Sequence, residues 1–485
     1  MNFNLVEMYN GLLRFNKHIL NELAEGLKHL PNLDGVSKGD SLIINEQGNP
    51  AWGSTAFIPT FENAAYGIEW TKDDNDIIRI GNAKFHRELP IQNRLKGCVY
   101  NEKKISYFLN PTGWAKPLEN GLVPPLDGSD GDVGVRVPEF YMCVKDTGTK
   151  YQLWISDFNI DGTFTRVHPF IISHTKTMTR TREDGKEEVF SACIKHDDTR
   201  YLGGNKSSSV VATKLQGRPR TGISYDKANE FCANRGDWIT MIDYLEYCAL
   251  QALCYIEYAN FDNQAALNIN LTSEGFKQGG LGAGVTNLER DRWSRFNDNN
   301  PIVQTYWSAE HNIGNGNTNG DHYELSAYND DGSNFSTYPA FYHGIHLFGD
   351  IWSFVRDVVI INKDTNYNSV YLLKKGVAHA DVTVDNVDEK CYFIGYQANT
   401  NNYIIEFDLQ RGPYFVPNLV GTNKKFDYNY IRGSNGQDTD KSVRVLLLGG
   451  GAADGSWAGS GYFHSAWVRS DSYAGVGFFT TVKLD

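Results

Sequence analysis

Residues that favour strands and tight turns run through almost the whole chain, and this feature limits its possible folds most. The sequence contains 47 glycines, 27 tyrosines, 26 phenylalanines and 10 tryptophans, against only 5 methionines. Aromatic side chains suit the half-buried surface of a sheet, and glycine allows the backbone conformations that turns require. We therefore expect many short strands joined by Gly- and Asn-rich turns rather than a helical protein. With the two internal helices described below, this gives the α+β fold class.

A chain of 485 residues exceeds one ordinary hydrophobic core, and we predict three regions. Residues 1–60 combine a helical pattern with a short strand pair and are predicted to form a stalk for oligomerisation or attachment. Residues 61–130 are predicted to form a small β-rich connecting region. The alternating run Val133, Val135, Val137 follows a turn-rich segment and marks the start of the third region, residues 131–485.

The amino-terminal segment carries one apolar stripe at helical spacing. Its members are Met8, Leu12, Phe15, Ile19, Leu23, Leu27 and Leu30. Pro31 and the pair Asp34-Gly35 end the pattern. A single helix over residues 2–30 cannot bury its own stripe. It is therefore expected either to bundle with copies of itself, which predicts a homotrimer, or to dock on the rest of the chain.

Charge and cysteine usage limit the partners and the place of synthesis. A formal net charge of -12 disfavours nucleic acid and anionic membranes, both of which attract basic proteins. Residues 1–10 lack a basic stretch before an apolar core, and no run approaches the ~18 apolar residues of a membrane span, so no membrane insertion is expected. Seven cysteines without a CxxC pair indicate reduced, mostly buried thiols and synthesis in a cytosol.

Two internal segments carry the strongest helix signals of the third region. Ser224 is expected to cap a helix that ends at Gly236. Thr240-Met241-Ile242-Asp243 has the pattern of a capping box that opens a longer helix. The expected inner face of that helix consists of Leu245, Cys248, Ala249, Ala252, Leu253 and Ile256. After Ala259 the pattern predicts only loops and short strands.

Three segments resemble the formylglycine-generating-enzyme type of C-type lectin fold. Residues 221–247, from Thr-Gly-Ile-Ser-Tyr to Asp-Tyr-Leu-Glu-Tyr, match the order and spacing of its two-helix segment. Gly349-Asp350-Ile351-Trp352-Ser353-Phe354 is similar to its Gly-Asn-Val-Trp-Glu-Trp signature, whose aromatic pair is structural. Residues 444–478 resemble its terminal Gly-Gly-Ser-Trp to Gly-Phe-Arg strand pair, with Phe479 in the place of the usual arginine. The resemblance implies a C-type lectin-like domain with two helices over residues 131–485.

Together with Val133 to Tyr141, His168-Pro169-Phe170 and a fibre-like amino terminus, these segments are similar to phage and prophage tail proteins of gut Bacteroidales. The resemblance implies a receptor-binding tail protein, or adhesin, located in the virion tail after synthesis in the bacterial cytoplasm. Its expected partners are a bacterial surface protein or glycan and other tail proteins. In that group the end of the domain can be the variable region of a diversity-generating retroelement, which rarely yields Lys, Glu, Gln or Met. Residues 445–482 contain none of these four.

The segment of residues 457–473 mixes flat aromatic rings with short hydrogen-bonding side chains. The predicted ligand-binding residues are Trp457, Tyr462, Phe463, His464, Ser465, Trp467, Ser470, Asp471, Ser472 and Tyr473. Such rings stack on sugars or fill protein pockets, while short polar side chains adjust partner choice at little entropic cost. The first candidates among them are Tyr462, His464, Ser470, Asp471 and Tyr473. Trp457 and Trp467 are expected to pack in the core.

Two other functions stay open, a structural fibre or baseplate component and a depolymerase of surface polysaccharide. The first would keep the terminal aromatic residues covered, and the second would place two carboxylates across a groove. Other enzyme chemistry of the lectin-type fold is not expected. Its copper enzymes need a cysteine pair near the carboxyl terminus, and no cysteine follows Cys391. His343-Gly344-Ile345-His346 lacks the spacing of its iron ligands and is interpreted as structural or surface.

No cofactor and no enzymatic activity are therefore predicted. Calcium stays an alternative at residues 127–132, where Asp127, Ser129, Asp130 and Asp132 offer the oxygen ligands that this ion prefers. The segment lacks the bidentate glutamate that usually completes such a loop.

Overall fold

The computed structural model describes residues 41–44, 50–53, 58–71, 77–195, 197–211, 214–318, 323–325, 335–337, 339–362, 367–423, 426–431 and 442–484. The predicted amino-terminal helix with its apolar stripe lies outside the described residues. The chain divides into two compact units, Met1–Thr60 and Phe61–Asp485. The first unit contains an antiparallel strand pair of the kind expected there, β1 (Ser41–Ile44) with β2 (Pro50–Gly53).

Helices are few in the described part of the chain. In chain order they are α1 (Phe61–Ala64), α2 (Ala83–Glu88), α3 (Tyr225–Arg235), α4 (Tyr244–Tyr258), α5 (Arg290–Asn297), α6 (Trp307–Glu310) and α7 (Val387–Lys390). Short 3-10 helices cover Gln92–Arg94, His379–Asp381 and Gly455–Trp457. Within the described residues, no helix is both long and apolar enough to cross a membrane.

Strands supply most of the regular structure, which confirms the predicted α+β class. Before residue 200 they are β3 (Ala65–Thr71), β4 (Ile77–Gly81), β5 (Lys96–Asn101), β6 (Lys104–Phe108), β7 (Asp132–Val137), β8 (Phe140–Asp146), β9 (Lys150–Ser156), β10 (Thr165–Val167), β11 (Phe170–Ser173), β12 (Met178–Thr181) and β13 (Glu187–Phe190). Between residues 200 and 340 they are β14 (Gly204–Asn205), β15 (Arg220–Thr221), β16 (Thr240–Met241), β17 (Leu267–Asn268), β18 (Gln278–Gly279), β19 (Tyr323–Leu325) and β20 (Phe335–Thr337). The remaining strands are β21 (Trp352–Asn362), β22 (Tyr367–Leu373), β23 (Cys391–Ala398), β24 (Asn402–Asp408), β25 (Val416–Gly421), β26 (Tyr428–Tyr430), β27 (Val443–Gly449), β28 (Gly459–His464), β29 (Val476–Phe478) and β30 (Thr480–Lys483).

The second unit contains three larger sheets. A five-stranded sheet has the order β10-β8-β9-β3-β4, and a six-stranded sheet has the order β16-β30-β11-β7-β5-β6. The nine-stranded sheet runs β23-β22-β21-β27-β28-β26-β24-β25, with β29 parallel to β21. Strands from before and after residue 131, where a domain boundary was predicted, pair within the first two of these sheets.

Both predicted internal helices are present. The first begins and ends where it was predicted, and the second begins later. Ser224 caps α3 by accepting a hydrogen bond from Lys227 N at 3.2 Å, and Gly236 follows its last residue. Helix α4 begins three residues later than the capping-box pattern implied. Asp243 is its cap, and Glu246 Oε2 accepts from Asp243 N at 3.0 Å. Thr240 and the residue after it instead pair with β30, because a sheet edge is available there.

Helix α4 lies at the centre of the main core and contacts β3 and β9 on one sheet and β21 on another. Of the predicted inner face, Leu245 is half-buried and the other members are buried. The opposite face is buried too, including Gln251 and Glu257. A helix that is enclosed on all sides loses the one-sided stripe that a surface helix shows, so its sequence reveals only part of its contacts.

The expectation of only loops and short strands after Ala259 is wrong. Helix α5 spans eight residues, and strand β21 spans eleven. β21 lies inside the sheet between β22 and β27, so both of its edges are paired. Both of its faces are covered as well, because alternate residues pack in two different core clusters. Its run Val358-Val359-Ile360-Ile361 is therefore continuously apolar rather than alternating, which hides the strand from a search for alternation.

Candidate functional site

The carboxyl-terminal strands of the nine-stranded sheet frame one cavity. Strand β27 ends at Gly449, and the φ angles of 98° at Gly449 and 77° at Gly450 turn the chain away from the sheet. The 3-10 helix Gly455–Trp457 and β28 follow, and residues 465–475 lead into β29. The cavity has a volume of about 480 Å³. Its lining residues, here called the aromatic pocket, are Arg290, Trp352, Tyr430, Leu447, Asp454, Trp457, Tyr462, His464, Ala466, Trp467, Asp471, Tyr473 and Val476.

Side-chain alternation along β28 decides which predicted residues reach the pocket. Tyr462 and His464 line it, whereas Phe463 packs in the main core. Ser465 is fully buried, and its hydroxyl donates a hydrogen bond to Tyr430 O at 3.3 Å. Phe463 and Ser465 therefore face the protein interior and not the pocket.

Aromatic rings form most of the pocket wall. Trp352 lies beside Tyr462 and His464, with ring centroids 4.3 Å and 4.8 Å away. Tyr430 stacks on His464 at 4.7 Å, and Trp467 meets the same imidazole edge-on at 6.2 Å. These contacts hold the rings in place before a ligand arrives, which lowers the entropic cost of binding.

Two tryptophans differ from the expectation that they pack in the core. The Trp457 ring is 42% exposed and stacks on Tyr428 at 4.7 Å. It ends the 3-10 helix after the glycine turn, outside the sheet, so it forms the rim of the pocket. Trp467 is half-buried, because its ring contacts Phe354 of the core at 6.3 Å while another part lines the pocket.

The segment of residues 465–475 brings Asp471 and Tyr473 to the pocket. Val468 N donates to Asp471 Oδ2 at 3.0 Å, and Asp471 N donates to Val468 O at 3.1 Å, which closes a tight turn. Ser470 and Ser472, both predicted to bind ligand, are exposed on this turn and do not line the pocket. Six of the ten predicted residues are thus brought together, and four are not.

Two acidic side chains, Asp454 and Asp471, and one basic side chain, Arg290, lie among the rings. Asp454 Oδ2 accepts a hydrogen bond from Gly451 N at 2.6 Å. Burial raises the pKa of the Asp454 carboxyl to about 6, although the Gly451 amide and the charge of Arg290 act in the opposite direction. The guanidinium of Arg290 lies 6.0 Å from the centre of the Tyr473 ring. This carboxyl therefore changes its charge in the mildly acidic range.

The His464 imidazole and the Tyr462 and Tyr473 hydroxyls are neutral at pH 7. Burial lowers the pKa of His464 to about 3, and its Nδ1 accepts a hydrogen bond from Ala466 N at 3.3 Å. Burial also raises the pKa of Tyr462 and Tyr473, so both hydroxyls keep their protons. Neutral donors and flat rings suit an uncharged polar ligand with an apolar face.

Several lining residues were not predicted as binding residues. Trp352 was singled out only for its motif, as a structural residue. Tyr430 alternates with Tyr428 on strand β26, which is a signal that could have placed both rings on one face. Asp454 lies three residues before Trp457, within residues 444–478, the segment that resembles the terminal strand pair. Arg290 begins helix α5 far away in the sequence, and no local pattern connects it to the pocket.

The other candidate residues, those considered for iron and for calcium, are buried or paired with other side chains of the chain. His343 and His346 are buried, and His343 Nε2 lies 2.9 Å from Glu257 Oε2. Asp132 of the acidic segment is buried and accepts from Arg235 Nη2 at 2.8 Å, so it is not free for calcium. Across the described residues, no group of three or more His, Cys, Asp or Glu side chains is placed to hold a metal ion.

Comparisons with known proteins add little to this geometry. No family model matches the chain, and no curated protein matches it. One similar solved structure is PvdO from Pseudomonas aeruginosa, with 10% sequence identity and a TM-score of 0.29. The alignment covers 73% of this chain and 96% of that chain. A TM-score of this size does not establish a shared fold.

Proposed function

We propose that this protein is an adhesin that binds a ligand on a bacterial surface through the aromatic pocket. The observation that carries the proposal is the convergence of six residues chosen from the sequence on one cavity of about 480 Å³. They are Trp457, Tyr462, His464, Trp467, Asp471 and Tyr473. Cavities of about 300–1,000 Å³ are typical of sites for small ligands or for single groups of larger ones.

A glycan is the ligand class that the lining favours. The face of a sugar ring carries C–H groups that pack on Trp457 and Trp467, while its hydroxyls need neutral donors and acceptors. Tyr462, Tyr473 and the imidazole of His464 supply these groups without a fixed charge. A protein ligand would need a wider contact surface than one cavity provides.

The proposal includes a C-type lectin-like head and a phage-tail location. Ten of the thirteen lining residues fall within residues 445–482, the stretch free of Lys, Glu, Gln and Met. A retroelement that diversified this stretch would change the pocket and leave most of the core untouched. A stalk in residues 1–60 that forms a homotrimer would present several heads, which raises effective concentration and lets weak sites hold firmly.

Binding of the labelled full chain to a panel of bacterial cells tests the proposal. The test variant combines Trp457→Ala with Tyr473→Ala, which removes two rings at the pocket and leaves the buried Tyr462 in place. The matched control combines Tyr392→Ala with Tyr396→Ala, two rings that are 61% and 47% exposed on strand β23. Truncating an aromatic anchor of an interface commonly lowers the binding free energy by at least about 2 kcal/mol. Affinity should therefore fall at least about thirtyfold in the test variant.

The control variant should bind as the intact chain does. Equal binding by intact and test proteins would mean that the contacts lie outside the aromatic pocket. An intact chain that binds no cell would favour a structural fibre or baseplate component, in which another subunit covers the pocket.

A hydrolase is the second candidate, because Asp454 and Asp471 both line the pocket. A carboxyl with a raised pKa near a second carboxylate is the arrangement of many glycoside hydrolases. Both groups, however, accept backbone hydrogen bonds that hold their own turns. Incubation with surface polysaccharide from bound cells distinguishes the two functions. An adhesin releases no reducing ends, whereas a hydrolase releases them and loses this activity, but not binding, in Asp454→Asn.

A further inference from the structure

A second cavity, of about 510 Å³, lies at the end of the six-stranded sheet and is lined by three basic side chains. The lining residues, here called the basic cleft, are Arg94, Lys96, Ile105, Phe108, Arg136, Pro169 and Leu484. Phe108 is 46% exposed, and its ring centre lies 5.7 Å from Lys96 Nζ. The cleft therefore combines positive charge with an open apolar surface, in a chain whose net charge is -12.

The register of the sheet places two of these cations side by side. Lys96 of β5 lies directly opposite Arg136 of β7. Side chains of directly opposite residues point to the same face with Cβ atoms about 5 Å apart, and like charges in this position destabilise a sheet. Burial and the nearby charge of Arg94 lower the pKa of Arg136. The fold therefore holds three cations together at a cost in stability.

The carboxylates of the described residues do not balance this charge. Arg94 donates to Asp157 Oδ1 and, through Nε, to Pro90 O at 2.9 Å. In the part of the chain that the structure describes, neither Lys96 nor Arg136 forms an ion pair with a carboxylate. Among the described residues, Asp157 is the carboxylate that pairs with the cleft, which leaves two of its three positive charges uncompensated.

We propose that the basic cleft binds a phosphate monoester carried on a body with an apolar face. A phosphate monoester has a charge close to -2 above its second pKa of about 6, which matches the uncompensated charge. A guanidinium can donate two parallel hydrogen bonds to phosphate oxygens, and an ammonium adds a third donor. Phe108 and Ile105 offer the apolar contact for the rest of the molecule. The site is separate from the aromatic pocket and does not rest on the adhesin proposal.

Isothermal titration of the full chain with phenyl phosphate at pH 7.5 tests this inference. Phenyl sulfate, a monoanion of similar shape, is expected to bind at least about tenfold more weakly, because charge-assisted contacts to the dianion are stronger. Affinity for phenyl phosphate should rise as pH increases from 5 to 7.5 through its second pKa, and it should fall with added salt. Equal affinity for the two probes would overturn the proposal.

Arg136→Gln should weaken phenyl phosphate binding at least about tenfold, since one charge-assisted hydrogen bond is worth roughly 1.5 kcal/mol or more. The control, Arg200→Gln, removes the same charge from an exposed side chain that pairs with Asp198 and should change nothing. Arg136→Gln also removes the repulsion with Lys96, so its melting temperature should equal or exceed that of the intact chain. Unchanged binding in a folded Arg136→Gln protein would contradict the assignment.

Asp485 follows Leu484 in the sequence and lies outside the described residues. An Asp485→Asn variant is therefore measured beside the others and should bind phenyl phosphate at least as well as the intact chain. Binding that is detectable only in Asp485→Asn would overturn the proposal, because the chain's own carboxylate would then occupy the cleft.

Discussion

Two regions of this protein, a buried carboxylate network and the aromatic pocket, differ in how fully their polar groups are hydrogen-bonded within the chain. The first, here called the Glu257 network, surrounds the fully buried carboxylate of Glu257 in the last turn of α4. Lys277 Nζ and Asn317 Nδ2 each donate to Glu257 Oε1 at 2.6 Å, and Tyr342 OH donates to Oε2 at 3.1 Å. His343 Nε2 lies 2.9 Å from Oε2, and its Nδ1 lies 2.7 Å from a backbone carbonyl. Both carboxylate oxygens are therefore saturated from within the chain.

The aromatic pocket differs because its polar atoms and rings are only partly satisfied. Asp454 accepts one backbone hydrogen bond, and the Trp457 ring has one face on Tyr428 with much of its surface exposed. A saturated buried group can only hold the fold, because no position is left for a ligand. A group with free capacity at an open cavity can exchange water for a ligand. Hydrogen-bond saturation thus separates the two roles better than residue type does.

The largest expected effect is the loss of stability when Glu257 is removed. Glu257→Ala leaves Lys277 and His343 without their buried partner, and breaking a buried ion pair from one side costs about 3–5 kcal/mol. We expect the free energy of unfolding, measured by chemical denaturation, to fall by that amount. The control Glu230→Ala removes an exposed i,i+3 pair with Lys227 and should cost at most about 0.5 kcal/mol. A loss below about 1 kcal/mol in Glu257→Ala would remove the contrast between the clusters.

Acid should lower the stability that the Glu257 network contributes by nearly as much as Glu257→Ala does. Burial alone would raise the pKa of Glu257, but the charges and hydrogen bonds of His343 and Lys277 outweigh it and lower the pKa from 4.5 to about 2. A depressed carboxyl pKa stabilises the folded protein fully above the unfolded value, and the contribution is lost as pH falls toward the folded value. This contribution to the free energy of unfolding is on the order of 3 kcal/mol.

The difference in unfolding free energy between the intact chain and Glu257→Gln isolates this effect, since all other carboxylates are common to both proteins. It should be largest above pH 5 and shrink as the pH falls from 4.5 toward 2. A difference that stays constant over that range would show that the carboxylate charge does not stabilise the network.

Local signals in the sequence predicted the helices better than the pocket. Ser224 and Gly236 lie at the two ends of α3 because capping depends on neighbours within one turn. The start of α4 was displaced, since Thr240 is drawn into a pairing with β30 from the far end of the chain. Such long-range pairing leaves no mark in a short window of sequence.

The pocket residues show the same limit. The segment of residues 457–473 was recognised from its mixture of rings and small polar groups, but the alternation of β28 was not applied to it. That alternation would have separated Tyr462 and His464 from Phe463. Arg290 and Trp352 could not be found this way, because the sheet and α5 bring them to the pocket across more than a hundred residues of sequence.

Asp454→Asn should stabilise the protein. The pH dependence of this effect is expected to be opposite to that of the Glu257 network. The Asp454 pKa is raised from 3.8 to about 6, chiefly by burial, so the folded state prefers the protonated form. Its contribution to stability is complete below pH 3.8 and is lost as the pH rises through 6. Asparagine is neutral throughout and can still accept from Gly451 N.

We expect Asp454→Asn to be more stable than the intact chain by about 1–2 kcal/mol at pH 8, less than the full shift implies because the side chain is half-buried. The advantage should vanish below about pH 4. Denaturation at pH 4 and pH 8 measures it. An advantage that grows on acidification would contradict the burial of this carboxyl.

The smallest effect on stability is expected for Trp457→Ala, which makes it the sharpest test of the comparison. Trp457 is 42% exposed, and its main packing partner is the Tyr428 ring at 4.7 Å, a contact worth about 1 kcal/mol. Trp307 is 1% exposed and stacks on His311 and Phe341 at 4.0 Å and 5.3 Å, so Trp307→Ala should cost about 3–5 kcal/mol. If Trp457→Ala costs as much as Trp307→Ala, the pocket rim belongs to the folded core. If it costs about 1 kcal/mol while cell binding is lost, the ring is held open for a ligand, because the fold gains little from it.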